Sequence, residues 1–267
     1  MGNFFDGFTV TVFRSAIVVS ILLVIALFSR QLEPLRLEKN WKYIMGMILA
    51  SLLNWGPYYF AILTAGVGIS LSTQYAGIVI GMFFFGWLFA SERFTKDKAF
   101  AAILGIVGIG LIFVPAISGL GFLAILGAFV SGLSGAANSV FSKKIHYNST
   151  QSTIILWASG IFANAGAVAI LGRSYPSFHF QAQWLYLIFF SLASITASWT
   201  FVRGVKLIDA GAAGILGLLE LVFGVIFGLL FFHEKLDFIE IVGIVCILSA
   251  AAIPYFKDFN AKRGTLQ

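Results

Sequence analysis

The residues best able to do chemistry in this sequence stand inside its most apolar stretches. Glu220 interrupts GILGLLELVFGVIFGLLFF, residues 214–232, and Arg14 interrupts FTVTVFRSAIVVSILLVIAL, residues 8–27. A carboxylate in such a place can hold a cationic group or carry a proton, and a guanidinium can hold a carboxylate. Amides and ring hydroxyls stand at similar depth in other apolar runs: Asn54, Gln74, Asn138 and Asn164, with Tyr58, Tyr59 and Tyr75. Trp55, Trp157 and Trp199 add amphipathic rings. A buried amide needs partners, so each of these polar groups must face another helix or a wet space.

Acid–base or nucleophilic catalysis finds no matching constellation. His146, His179 and His233 fall at the ends of apolar runs and far apart in sequence, and Cys246 is the single cysteine. No phosphate-binding loop occurs. No catalytic residue, metal site or cofactor is therefore expected.

The elements that must carry these residues follow from composition. Of 267 residues 60% are hydrophobic and 10% charged, with a mean hydropathy of +0.97. A soluble domain has about 25% charged residues, so a polytopic membrane protein is expected. Nine apolar spans can be drawn, at 8–28, 42–63, 68–90, 99–114, 119–141, 153–171, 183–202, 211–231 and 238–256. They read as helices, because strands of a membrane barrel would be about 9–11 residues long with alternating polarity. The span at 99–114 is the shortest. The start, MGNFFDGF, lacks a basic leader and a small-residue cleavage site, so no cleaved signal peptide is expected.

Charge alternates between the loops. Arg30, Arg36, Lys39 and Lys42 follow the first span, and Arg93, Lys96 and Lys98 the third. Lys143 and Lys144 follow the fifth, Arg203 and Lys206 the seventh, and Lys257, Lys262 and Arg263 the last. The opposite loops hold Arg173 and Lys235 alone. The positive-inside rule then predicts a cytoplasmic C-terminus and, with nine spans, an outside N-terminus. The net charge of +6 is explained by these loops and lipid headgroups, with no nucleic-acid partner implied.

The insertion of Glu220 is energetically affordable. A central carboxylate costs roughly 2.5–3.5 kcal/mol on insertion scales. Thirteen Leu, Ile, Val and Phe residues between Gly211 and Phe231 offset it by about 4–8 kcal/mol. Two roles then stand open for Glu220: substrate or proton binding, or a structural hydrogen bond to a neighbouring helix. Arg14 likewise either reaches the outer headgroups or faces a cavity, where it would attract carboxylates or pair with Glu220. Asn54-Trp55-Gly56-Pro57 predicts a kink, since Pro57 removes a backbone donor. Gly77-x-x-x-Gly81 and Gly224-x-x-x-Gly228 predict close helix contact.

The chain also repeats itself. At an offset of 142 residues Glu92 of ASERFT meets Glu234 of FHEKLD, and the apolar runs on both sides coincide. Loop charge puts Glu92 inside and Glu234 outside, so the copies would cross the membrane in opposite senses. Inverted repeats of this kind place a substrate site near the midplane at the repeat interface in transporters.

These residues resemble a family. FVRGVKLIDAGAAGILGLLELVFGVIFGLLFFHEKLDFIEIVGI is similar to the second repeat of EamA-type transporters of the drug/metabolite transporter superfamily, and YYFAILTAGVGISLSTQYAGIVIGMFFFGWLFASERFT to the matching part of the first. The resemblance implies ten helices in two five-helix repeats. This chain offers nine, its first resembling the family's second helix with its Arg, here Arg14. Either the sequence starts late or the chain is a shortened variant. The family's Pro, thirteen residues before each closing Glu, is replaced by Val79 and Leu221, so a proline break is not assured. Gln74 and Tyr75 precede position 79 much as Glu220 stands beside position 221.

The fold is an all-α polytopic membrane bundle of two inverted repeats, residues 1–115 with four helices and 116–267 with five. Glu220, Gln74, Tyr75, Asn54 and Trp199 line a central cavity, and Tyr58, Asn138 and Arg14 also contact substrate. The resemblance implies a secondary transporter of small organic metabolites such as amino acids, more often exporting than importing, in the cytoplasmic (inner) membrane. Its partners would be a small-molecule substrate, the lipid bilayer and a second copy in a possible homodimer. A non-transporting membrane interaction protein is the alternative.

Overall fold

A computed structural model describes residues 6–34, 37–93, 95–113, 121–176, 181–232 and 237–264. Glu234, His233, Lys235, His179 and Arg36 lie outside the described residues.

Ten helical segments, and no strand among the described residues, make up the chain. They are α1 (Gly7–Phe28), α2 (Leu37–Ala65), α3 (Val67–Ala90), α4 (Lys96–Phe113), α5 (Phe122–Lys144), α6 (Ser149–Ile170), α7 (Ala182–Leu207), α8 (Ala210–Gly217), α9 (Leu219–Phe232) and α10 (Phe238–Gly264). Each of the nine expected spans is a helix, except that 211–231 is split into α8 and α9. Among the described residues seven stretches are long and apolar enough to cross a membrane, and Phe238–Ile253 forms a shorter apolar helix. The first turn of α4 carries Lys96, Asp97 and Lys98, which leaves a short apolar remainder. The fold is an all-helical polytopic membrane bundle.

Its residues are distributed as lipid demands. Large apolar side chains such as Phe28, Leu63, Trp87 and Phe189 are exposed, whereas Ser15, Ser51, Ser131, Asn138, Ser159 and Asn164 are buried. Against hydrocarbon there is no gain in hiding Leu, and small polar residues allow close, hydrogen-bonded helix contact.

The helices fall into two compact units, residues 1–59 with 137–207 and residues 60–136 with 208–267. In the first, α1 packs on α6 and α7. Asp6 caps α1, accepting from the Phe8 and Thr9 amides at 2.8 and 3.0 Å, and Asn148 caps α6 through the Gln151 amide. The start of α1 lies close against α2: a Cβ at Gly7 would meet the Tyr59 ring at 2.5 Å, and one at Gly56 the Phe8 ring at 2.4 Å. Pro57 sits within the unbroken α2.

In the second unit α4 packs on α10, and α3 on α4 and α8. The core holds Tyr75, Val79, Ile109, Leu218, Leu221 and Ile247. Gly77 and Gly81 seat α3 against α5, where a Cβ at Gly77 would lie 2.5 Å from the Phe129 carbonyl. Gly224 on α9 meets no neighbour within 4 Å among the described residues, so the expected close contact is made by the first glycine pair and not at Gly224.

Candidate functional site

The second unit carries the carboxylate. Leu218 interrupts the span between α8 and α9 without a proline: the Leu218 and Leu221 amides bond three residues back, to Ile215 and Leu218 oxygens at 3.1 Å each. Gly214 and Gly217 precede the break, and each Gly weakens a helix by about 1 kcal/mol relative to Ala. The break gives α9 its own N-terminus, and Glu220 occupies its first turn. At a helix start the dipole favours negative charge. That is the local reason a carboxylate fits at this depth, and it could not be read from hydropathy.

Glu220 is exposed, and its Oε2 accepts a hydrogen bond from the hydroxyl of Tyr75 on α3. Tyr75 itself is buried, so its ring is held by the core while its oxygen faces the acid. Gln74 turns the other way: its Nε2 donates to Ser131 Oγ on α5 at 2.9 Å. The structure thus brings Tyr75 to Glu220 and gives Gln74 to the α3–α5 contact.

The first unit carries the guanidinium. Arg14 does not reach away from the helices. Its Cζ lies 4.8 Å from the ring centre of Trp55, 4.9 Å from Trp157 and 3.9 Å from Phe190. Its Nε donates to Ser194 Oγ at 3.0 Å, and the Ser194 hydroxyl donates in turn to the Phe190 carbonyl at 2.6 Å. Trp157 is fixed in turn by Nε1–H donation to Ser198 Oγ at 2.9 Å. Cation–π attraction holds the guanidinium plane. A guanidinium has five N–H donors, and no acceptor among the described residues meets its Nη groups. Such an edge matches a carboxylate in bidentate fashion.

Of the other expected residues of this unit, Tyr58 stands against that cage. Tyr58 is buried and Asn54 half-buried; the Tyr58 ring stands edge-on to Trp55 at 6.3 Å. One turn before Trp55 on α2, Ser51 Oγ accepts from Asn138 Nδ2 at 3.3 Å and lies 3.1 Å from Ser159 Oγ. The Ser159 hydroxyl is committed to the Leu156 carbonyl at 2.6 Å, so the three side chains form a directed series. It begins at the Asn138 amide nitrogen and ends on the Leu156 carbonyl, and Asn138 Oδ1 is a buried acceptor with no partner among the described residues. Trp199 belongs elsewhere: its Nε1–H donates to Thr150 Oγ1 at 3.0 Å, and Arg203 lies over its ring at 5.3 Å. Thr150 is seven residues from Trp157 on α6, roughly 10 Å along the helix, so Trp199 is not at the level of the Arg14 cage.

Ser194, Phe190 and Ser131 were not expected as site residues. Serines inside apolar runs were the available signal, but serine is common in membrane helices and does not by itself name its partner.

At the end of α3 the carboxylate of Glu92 accepts from the Ala210 amide at 2.7 Å and so caps α8 from another helix. Asp209, the residue preceding α8, is instead ion-paired to Lys98 of α4.

A family model described as the EamA-like transporter family matches residues 122–256. A curated relative from Sinorhizobium sp., named "Uncharacterized transporter in cobO 3'region", is 33% identical over 130 residues, 47% of this chain and 92% of the relative. A solved crystal structure covers 94% of this chain and 87% of its own, with a TM-score of 0.75 at 17% identity; at that identity the likeness speaks for the fold alone.

Proposed function

Since this chain belongs to the EamA-like transporter family, we propose that it is a secondary transporter of small organic metabolites, amino acids or related compounds, which it exports across a cytoplasmic membrane by alternating access. The observation that carries the proposal is the broken span: Glu220 in the first turn of α9, held by Tyr75. Discontinuous helices whose termini lie within the bilayer are a recurrent way for transporters to present charge and unpaired backbone to a substrate. The two copies related by the 142-residue offset then serve as inverted halves, residues 1–115 and 116–267.

The Arg14 cage supports a substrate with a carboxylate. Its aromatic faces would pack the organic part while the guanidinium edge takes the acid. Asn138 Oδ1 offers an acceptor for a substrate donor. Glu220 is the group suited to a proton or an ammonium.

The test is flux in proteoliposomes with a panel of labelled amino acids. The full chain moves at least one of them, and Glu220→Gln abolishes or uncouples that movement. Absence of flux for every carboxylated metabolite with the native chain would overturn the proposal, and undiminished flux in Glu220→Gln would remove Glu220 from it.

A further inference from the structure

On α3 the residues Ile80, Phe83, Phe84 and Trp87 recur at i, i+3, i+4 and i+7, and wall one side of a groove of about 640 Å³. The opposite wall, on α4, includes Ala99 and Ala102. The small alanines leave the hollow that the aromatic rings border. The groove is lined by apolar side chains, and Ile80 to Trp87 spans roughly 10 Å of helix, about a third of a hydrocarbon core of ~30 Å.

Trp87 also lines a second hollow of about 720 Å³, whose other walls are Leu88, Ser91, Glu92 and Arg93. Tryptophan favours the level where acyl chains meet headgroups. The charges around this hollow are mostly spoken for. Glu92 accepts the Ala210 amide, and Lys98 is paired with Asp209. Arg93 is exposed and has no partner among the described residues. Lys96 is likewise exposed at the start of α4.

We infer that the α3–α4 groove is a binding site for an anionic phospholipid, with an acyl chain along Ile80–Trp87 and the phosphate on Arg93. An apolar trough of limited length that opens at a tryptophan onto an unpaired guanidinium matches the two parts of that molecule in order. A second copy of this chain would cover the apolar walls and leave Arg93 without an anion. A zwitterionic lipid would fill the trough but bring its own cation to a surface where Lys96 is already exposed.

The test is native mass spectrometry of the full chain, released from detergent containing equimolar phosphatidylglycerol and phosphatidylcholine. One phosphatidylglycerol is retained per chain. Arg93→Gln lowers its retention relative to phosphatidylcholine about fivefold, the weight of one basic residue at an anionic surface, and Arg93→Lys restores most of it. Ala99→Phe, which fills the trough, removes the retained lipid. Equal retention of both lipids, or retention unchanged in Arg93→Gln, overturns the inference. So does a dimer peak abolished by Ala99→Phe, which would give the groove to a second copy. Should Ala99→Phe fail to fold, Arg93→Gln, at an exposed position, decides alone.

Discussion

The buried phenol of Tyr75 on α3 donates its hydrogen bond to the exposed carboxylate of Glu220 on α9. The two residues are 145 apart in sequence, yet both belong to the same compact unit. It ties the acid to a helix whose own position is fixed by core packing of Val79 and by the glycine contact with α5. Glu220 is thus held at one end by the break after Leu218 and at its tip by Tyr75.

Tyr75→Phe removes this bond and keeps the ring. A hydrogen bond to a charged group contributes about 1.5–3 kcal/mol, and the exposure of Glu220 puts the expected loss near the lower end. Glu220→Gln retains an acceptor and loses less. In a double-mutant cycle read by thermal unfolding in detergent, Tyr75→Phe costs less in the Glu220→Ala background than in the native chain. Equal costs in both backgrounds would mean that the pair contributes nothing.

The Arg14 cage predicts a separation of charge from shape. Arg14→Lys keeps the charge but gives up the planar stack and the fork of donors. Uptake of carboxylated substrates into proteoliposomes is expected to fall about tenfold or more in Arg14→Lys, the order of one charge-assisted bond. Transport of the corresponding amides, if the native chain moves them, changes little. A parallel loss for acids and amides would make Arg14 a packing residue.

Much of this architecture is legible in the amino-acid sequence. Lipid forces each crossing to be a run of about 20 apolar residues, so the spans at 8–28 and 68–90 fall within a few residues of α1 and α3. The break inside 211–231 was not legible. It comes from two glycines and a local change to three-residue hydrogen bonding, and Leu221 stands where a proline would have announced it. Glu220 stood out as a candidate because a carboxylate in an apolar span demands a reason. Its bond to Tyr75 rather than Gln74 could not, because adjacent residues on a helix point about 100° apart and only the packed structure chooses between them. The cage around Arg14 draws on α2, α6 and α7, a convergence no local spacing encodes.

The α3–α5 crossing predicts a sharp steric limit. A Cβ placed at Gly132 would lie 2.0 Å from the Gln74 carbonyl oxygen, a backbone atom that cannot swing away. Gly132→Ala must therefore push the helices apart and strain the Gln74–Ser131 bond. Overpacking of this kind costs about 1–3 kcal/mol, seen as a lower unfolding temperature in detergent. Gly166→Ala is the control: a Cβ there meets nothing within 4 Å, and the better helix former is neutral or slightly stabilising.

The start of α8 offers the last prediction, because two acids there have exchanged the roles that sequence position suggests. Asp209 stands at the N-cap but makes no capping bond; Glu92 supplies that bond from the end of α3, while Asp209 pairs with Lys98. Loss of a capping side chain costs about 1 kcal/mol, whereas an exposed ion pair contributes about 0–1 kcal/mol. Glu92→Ala is therefore expected to destabilise more than Asp209→Ala, measured by thermal unfolding in the same detergent. High salt narrows the effect of Asp209→Ala and leaves that of Glu92→Ala largely in place, since screening acts on the exposed pair more than on a bond to the amide of buried Ala210. The reverse order of the two variants would return the cap to Asp209 and make Glu92 dispensable to the seating of α8.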